Sequence, residues 1–128
     1  MSQTEFAKKT RSSTGQDIRE RTFRFGVRIV KMANGLPRTA AGFELARQVI
    51  RSGTSVGANV EEADAAESKA DFIHKMKIAL KEAQETRYWL RTLIESEIIA
   101  DDETKALLNE SDELVRIINT IIRNTQKQ

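Results

Sequence analysis

Apolar residues recur three or four positions apart along most of the chain, which is the spacing of one face of an α-helix. From this period we predict helices over 17–34, 41–63, 68–97 and 101–124. No alternating β-branched run competes with the prediction. Four helices with short links imply an all-α, antiparallel up-down-up-down four-helix bundle.

Local signals mark where these helices begin and end. Gly35 and Pro37 close the first helix. Ser68 with Asp71 resembles a capping box at the start of the third helix. Asp101 and Asp102 cap the fourth. Residues 1–15 are polar and show no period, so we expect a flexible N-terminal arm followed by one bundle domain over 16–128.

The first and fourth helices carry more apolar surface than one bundle buries. The first has two apolar strips: Ile18, Phe25, Ile29, Met32 and Leu36 on one side, and Phe23, Val27 and Val30 on another. The fourth has a wide apolar arc: Leu107, Leu108, Leu114, Val115, Ile117, Ile118, Ile121 and Ile122. Surplus apolar surface of this kind marks a protein–protein interface. We therefore expect a homo-oligomer, with closed ring or dihedral symmetry as the default.

Between the two strips of the first helix lies a basic ridge formed by Arg21, Arg24, Arg28 and Lys31. Its linear spacing suits a phosphate backbone, so the ridge is the candidate nucleic-acid site, for RNA or DNA alike. Two alternatives remain open. The ridge is a solvated face with snorkelling side chains, or its charge pairs with the acidic C-terminal segment, where residues 96–128 hold seven acids against four bases.

A polar stripe on the second helix is the candidate structural network: Gln48, Ser52, Ser55, Asn59 and Glu62. Short uncharged side chains suit close packing with hydrogen bonds, and the alternative is a poorly optimised exposed face. Gly53 and Gly57 share this helix with small-xxx-small spacing, which lets a neighbouring backbone approach closely.

A short-linked hairpin of the second and third helices sets a register between them. Residues that face each other sum to about 132, which places Glu82 and Glu85 level with Arg47, Gln48 and Arg51. We expect an Arg51–carboxylate ion pair there. Paired carboxylates can do acid–base chemistry, but no nucleophile or cofactor element accompanies them.

Composition narrows the function classes. The 128 residues include no cysteine, which excludes disulfides and thiol chemistry, and only one histidine. The acid-x-x-His element at Asp71 and His74 is therefore better explained by helix capping than by a di-metal site, which needs two such elements. No cofactor, signal peptide or membrane span is indicated, so we expect a cytoplasmic, non-enzymatic protein without a membrane partner.

Several segments of the chain resemble a known family. The resemblance rests on residues 51–62, 68–72 and 78–83, together with Arg21-Thr-Phe-Arg-Phe25, Leu36-Pro37 and Tyr88-Trp-Leu90. The family is the four helix bundle protein family. Its members include proteins encoded in intervening sequences of bacterial 23S ribosomal RNA genes. The resemblance implies an antiparallel bundle that assembles into a ring of five and is related to the nucleic-acid-binding accessory protein of diversity-generating retroelements. It implies no enzymatic activity. Glu62 departs from the glycine that many members carry there.

Two functions remain in competition. The first is an oligomer that binds nucleic acid non-specifically through the basic ridge. The second is a protein-interaction scaffold, with an unidentified protein partner and no nucleic-acid role. A bundle enzyme or metal carrier is a distant third.

Overall fold

A computed structural model describes residues 17–128, which form four α-helices and no strand within that range. The helices are α1 (Ile18–Asn34), α2 (Ala40–Asp64), α3 (Lys69–Glu95) and α4 (Asp102–Gln126). Their bounds agree with the sequence prediction to within two residues at each end. The predicted N-terminal arm lies outside the described residues.

Each helix begins at a side-chain cap that satisfies an otherwise unpaired backbone N–H group. The carboxylate of Asp17 accepts a hydrogen bond from the N–H of Arg19, and Thr39 Oγ1 accepts one from Gly42. The same geometry at the start of α3 and α4 uses Ser68 and Asp101. Short polar residues in the links therefore decide where the helices start.

The helices pack in a cycle, in which α2 lies against α1 and α3, and α3 lies against α4. The contact between α1 and α4 closes the cycle and is the sparsest of the four. None of the helices in residues 17–128 has a stretch long and apolar enough to cross a membrane.

The core lies along the axis shared by the four helices and is almost entirely aliphatic and phenyl. Its largest fully buried side chains are Phe25, Phe72, Ile18, Ile29, Met76, Leu90, Leu93, Leu107, Leu114, Ile118, Ile121 and Val49. The first apolar strip of α1 is buried throughout, as its period predicts.

The wide apolar arc of α4 is mostly buried within the bundle. Five of its eight residues are buried, and Leu108, Val115 and Ile117 are half-buried against the rim of the core. The expectation that α4 carries surplus apolar surface is therefore wrong, since the bundle absorbs the arc. The second strip of α1 behaves differently and is described below.

Two glycines of α2 set how closely α1 and α2 approach. A Cβ atom added at Gly57 would lie 3.2 Å from the carbonyl carbon and oxygen of Thr22, and one added at Gly53 would lie 2.8 Å from Ile29 Cγ2. Opposite them, Gly26 of α1 faces the backbone of Thr54. The small-xxx-small spacing of α2 is thus used against α1.

Candidate functional site

The basic ridge of α1 lies along the seam with α4, where carboxylates meet it. Arg21 donates from Nε to Glu110 Oε2 at 2.7 Å and from Nη2 to Glu110 Oε1 at 2.9 Å. Its Nη2 also donates to Glu113 Oε1 at 2.6 Å. The hydrogen bonds that Arg21 donates to Glu110 raise the pKa of its guanidinium above the ordinary value, and the bond to Glu113 adds to the effect. Arg21 is therefore committed to α4.

Arg28 repeats this arrangement two turns further along α1. It donates from Nε and Nη2 to the carboxylate of Glu103 at 2.9 and 3.2 Å, and this hydrogen bonding raises the pKa of Arg28. Arg24 instead pairs within its own helix with Glu20 at 2.6 Å, in an exposed position. Lys31 is exposed and forms no ion pair with a residue of the described chain.

The spacing alone indicates a continuous row of open cations, but the structure does not show one. Arg21 and Arg28 face acids of α4. For these two residues the structure shows the second alternative, in which the basic segment pairs with the acidic C-terminal segment. Only Arg24 and Lys31 present their charge mainly to solvent. The sequence does not reveal this, because it does not give the register between α1 and α4.

On the other side of the ridge, the second apolar strip of α1 lies open. Phe23 is 59% exposed and Val30 is 41% exposed, with Val27 half-buried between them. Beside the strip runs a groove of about 750 Å³ between α1 and α2, walled by small residues that include Gly26, Gly57 and Ala58. We call the strip and the groove together the α1–α2 face.

Charged residues surround the α1–α2 face at its edges. Arg19, Glu20, Lys31 and Glu61 line the groove with the apolar residues. Arg19 donates to Asp17 and to Asp64, and the hydrogen bond to Asp17 is the main cause of its raised pKa. A face with an apolar centre and a rim of both charge signs has the composition of a protein-binding surface.

The polar stripe of α2 meets α3 at one fully buried point. The hydroxyl of Thr86 donates to Ser52 Oγ at 2.9 Å, and both side chains are buried completely. Sequence reasoning missed Thr86. Its position in the sequence could have identified it, because Thr86 follows Glu82 by four residues and so lies on the same face of α3, the face that the hairpin register turns toward α2.

Next to this pair, Arg51 lies between two carboxylates of α3. Its guanidinium contacts Glu82 Oε1 at 3.5 Å and forms a close ion pair with Glu85. The indole Nε1 of Trp89 donates to the same Glu85 oxygen at 3.1 Å. The hairpin register predicts Glu82 and Glu85 level with Arg51, and the structure brings these three residues together.

Three of the remaining stripe residues bond within α2, and Glu62 reaches α3. Gln48 donates to Glu44, the Ser55 hydroxyl donates to the carbonyl of Arg51, and Asn59 donates to the carbonyl of Ser55. Glu62 is exposed and binds Lys75 at 2.7 Å, which raises the pKa of that lysine. The stripe is therefore a buried polar contact at Ser52 with half-buried or exposed residues around it. Arg47 faces Glu44 of its own helix at 3.7 Å.

No group of three His, Cys, Asp or Glu side chains in residues 17–128 is placed to hold a metal ion. At the site weighed from sequence, the backbone N–H of Asp71 donates to the Ser68 hydroxyl at 3.0 Å, so Asp71 belongs to the first turn of α3. His74 is exposed one turn later.

Comparison with known proteins agrees with this architecture. The family model described as 23S rRNA-intervening sequence protein matches residues 14–120. A crystal structure of a protein of unknown function from the S23 ribosomal protein family of Bacteroides thetaiotaomicron is 43% identical, with a TM-score of 0.76. The match covers 82% of this chain and 97% of that one. No curated protein matches significantly. The chain belongs to the 23S rRNA-intervening sequence protein family.

Proposed function

We propose that this chain is a non-enzymatic, self-assembling subunit whose α1–α2 face binds a second copy of the same chain. The observation that carries the proposal is the exposure of Phe23 and Val30 on one strip of α1 beside an apolar groove. Apolar surface left open in this way is stabilised when a partner covers it.

The face has the features needed to bind itself. Phe23 projects from α1, whereas the neighbouring groove is walled by Gly26, Gly57 and Ala58 and has room for a large side chain. A protruding ring and a groove on one surface let two copies fill each other. The rim carries cations and carboxylates side by side, so ion pairs can form between copies at its edge.

The proposal includes helices that alternate in direction. Gly53 faces Ile29 while Gly57 faces Thr22, so residue numbers fall along α2 as they rise along α1. Arg21 with Glu110 and Arg28 with Glu103 support the same relation between α1 and α4. A closed ring, with five subunits as the family resemblance implies, is the assembly we propose for this up-down-up-down bundle.

A catalytic role for the carboxylates has less support. Glu82 and Glu85 are the acid–base candidates of the sequence, and both lie against Arg51, with Glu85 also bound by Trp89. A carboxylate that neighbouring side chains already bind is less free to reach a substrate proton. We propose that these two acids position α2 against α3.

Nucleic-acid binding through the α1 ridge also has less support than assembly. Arg21 and Arg28 would have to leave carboxylates of α4 to reach a phosphate backbone, which offsets the gain. We propose that these two arginines fasten α1 to α4.

Light scattering coupled to gel filtration tests the assembly at micromolar concentration. We expect the wild type to exceed the 14.5 kDa monomer mass and Phe23→Glu to shift it toward the monomer. Tyr88→Glu is the matched control, because Tyr88 is an equally exposed aromatic residue on α3. A monomeric wild type, or dissociation by the control alone, contradicts the proposal. If the wild type is a dimer, self-association through this face still holds and the closed ring is wrong.

A further inference from the structure

A second basic surface lies on the outer side of α3, away from the α1 ridge. Lys77, Lys81, Gln84, Tyr88 and Arg91 are all exposed. Their spacing of four, three, four and three residues keeps them on one side of the helix. We call this set the α3 stripe. From Lys77 to Arg91 it extends about 21 Å, at 1.5 Å per residue.

The cations of the α3 stripe are open to solvent, whereas two of the four ridge cations are held by carboxylates of α4. Lys77, Lys81 and Arg91 form no ion pair with any residue between 17 and 128, whereas Arg21 and Arg28 each bind a carboxylate. Two of the acids of α3 near the stripe are turned toward α2, whereas Glu95 is exposed one turn beyond Arg91. Glu82 and Glu85 contact Arg51 on the α2 side. The stripe therefore presents a local positive charge that the modest net charge of +2 conceals.

An aromatic ring lies among these cations. Tyr88 is 60% exposed, and it meets Trp89 edge to face with centroids 5.1 Å apart and an interplanar angle of 75°. Trp89 is itself held by its hydrogen bond to Glu85. The Tyr88 ring thus rests against an anchored neighbour while most of its surface stays accessible.

We propose that the α3 stripe is a binding site for single-stranded nucleic acid. Lys77, Lys81 and Arg91 contact phosphate oxygens, and Tyr88 stacks on an unpaired base. A linear row of cations with an exposed aromatic ring is the combination that proteins use for sequence-tolerant single-strand binding. Duplex presents its bases edge-on and leaves none free to stack on Tyr88. The site goes beyond the proposed assembly and does not depend on it, although repetition around an oligomer would raise the avidity.

Fluorescence anisotropy with a labelled oligouridine of ~20 nucleotides tests the site. Three phosphate contacts on a single strand give a log–log salt slope of about −2, so affinity should fall about twentyfold between ~50 and ~200 mM salt. Replacing two of the three cations in Lys77→Gln/Lys81→Gln should reduce that slope to about −0.7 and weaken binding at low salt. Tyr88→Ala should weaken binding about tenfold, and Tyr88→Phe should retain it.

The matched control is Arg116→Gln/Arg123→Gln, which removes the same charge from exposed positions of α4 outside the α1–α2 face. We expect it to bind like the wild type with the same salt slope. Equal loss in both double variants would show that only net charge matters and would overturn the site. Absence of binding at ~50 mM salt, or equal affinity for a duplex of the same length, would overturn it as well. Because all substituted residues are exposed, far-UV circular dichroism should show an unchanged helix content.

Discussion

Arg21 and Glu110 form a two-bond ion pair across the seam between α1 and α4, with Nε–Oε2 and Nη2–Oε1 distances of 2.7 and 2.9 Å. Each side chain is only 17% exposed. Hydrogen bonds between charged groups are stronger when they are shielded from water, so this pair contributes more than an exposed one.

We predict that Arg21→Ala lowers the free energy of unfolding by about 1–3 kcal/mol, because it leaves Glu110 and Glu113 without their cation. Arg24→Ala is the matched control. Arg24 is 70% exposed and pairs only with Glu20 of its own turn, so the loss should stay within ~0.5 kcal/mol. Urea unfolding curves measure both. Equal losses would contradict the role given to the seam.

The buried hydroxyl pair of α2 and α3 gives a second test. Ser52→Ala removes a partner of Thr86 inside the bundle and should cost about 1 kcal/mol. Ser55→Ala removes a hydroxyl that bonds only to its own helix and should cost less than ~0.5 kcal/mol. Denaturant midpoints at matched m-values distinguish the two. An unchanged midpoint for Ser52→Ala would mean that the contact carries no net stability.

The close approach of α1 and α2 predicts the sign of a glycine substitution. Gly53→Ala gains about 1 kcal/mol of helix propensity, but the new Cβ would lie 2.8 Å from the side chain of buried Ile29. Overpacking of this kind costs about 1–3 kcal/mol, so we expect a net loss of thermal stability. Ala106→Gly, at an exposed position of α4 outside the α1–α2 face, measures the propensity alone. A stabilised Gly53→Ala protein would contradict the packing described here.

Asp101 predicts a pH dependence. The hydroxyl and backbone N–H of Thr104 lie against its carboxylate and hold the pKa of Asp101 below its ordinary value. The folded pKa is depressed, so the stabilisation is present above the unfolded pKa of about 3.9 and is lost as pH falls through the folded pKa. Asp101→Asn keeps a cap acceptor and does not titrate. The difference in stability between wild type and variant should therefore shrink below pH ~4, and a difference constant with pH would contradict this.

The end of α3 offers a stabilising substitution. Glu97 follows the helix with φ of 63°, and the N–H of Ile98 donates back to the carbonyl of Leu93. Glycine adopts this left-handed conformation without steric cost, so Glu97→Gly should raise the free energy of unfolding by about 0.5–1 kcal/mol. Glu97→Ala removes the same charge and keeps the Cβ, so it should give no such gain. Calorimetric melting temperatures of the two variants provide the comparison.

Helix periodicity identified most of the core because the repeat alone decides which face turns inward. Ile18, Phe25 and Ile29 are assigned from their spacing and are buried in the structure. The same argument located the exposed strip at Phe23 and Val30. It failed for the α4 arc, since how much of an arc is covered depends on the angle between packed helices, and spacing does not contain that angle.

Pairing between helices was predictable only across a short link. The link after α2 fixes the register of α2 and α3, so Arg51 could be placed against Glu82 and Glu85 from the sequence. Between α1 and α4 three links intervene, and a shift of one turn in any of them would give Arg28 a different neighbour. Glu103 and Glu110 could not be assigned as partners for that reason.

The sparse, charged contact between α1 and α4 affects how the bundle opens. Salt screens the more exposed of its ion pairs, Arg28 with Glu103, and leaves apolar burial intact, so the bundle should open first along this edge, with α1 still packed on α2 and α4 on α3. Amide protons of α1 and α4 near the edge should then exchange with solvent faster as salt rises. Those at the centre of α2 and α3 should exchange only when the whole chain unfolds.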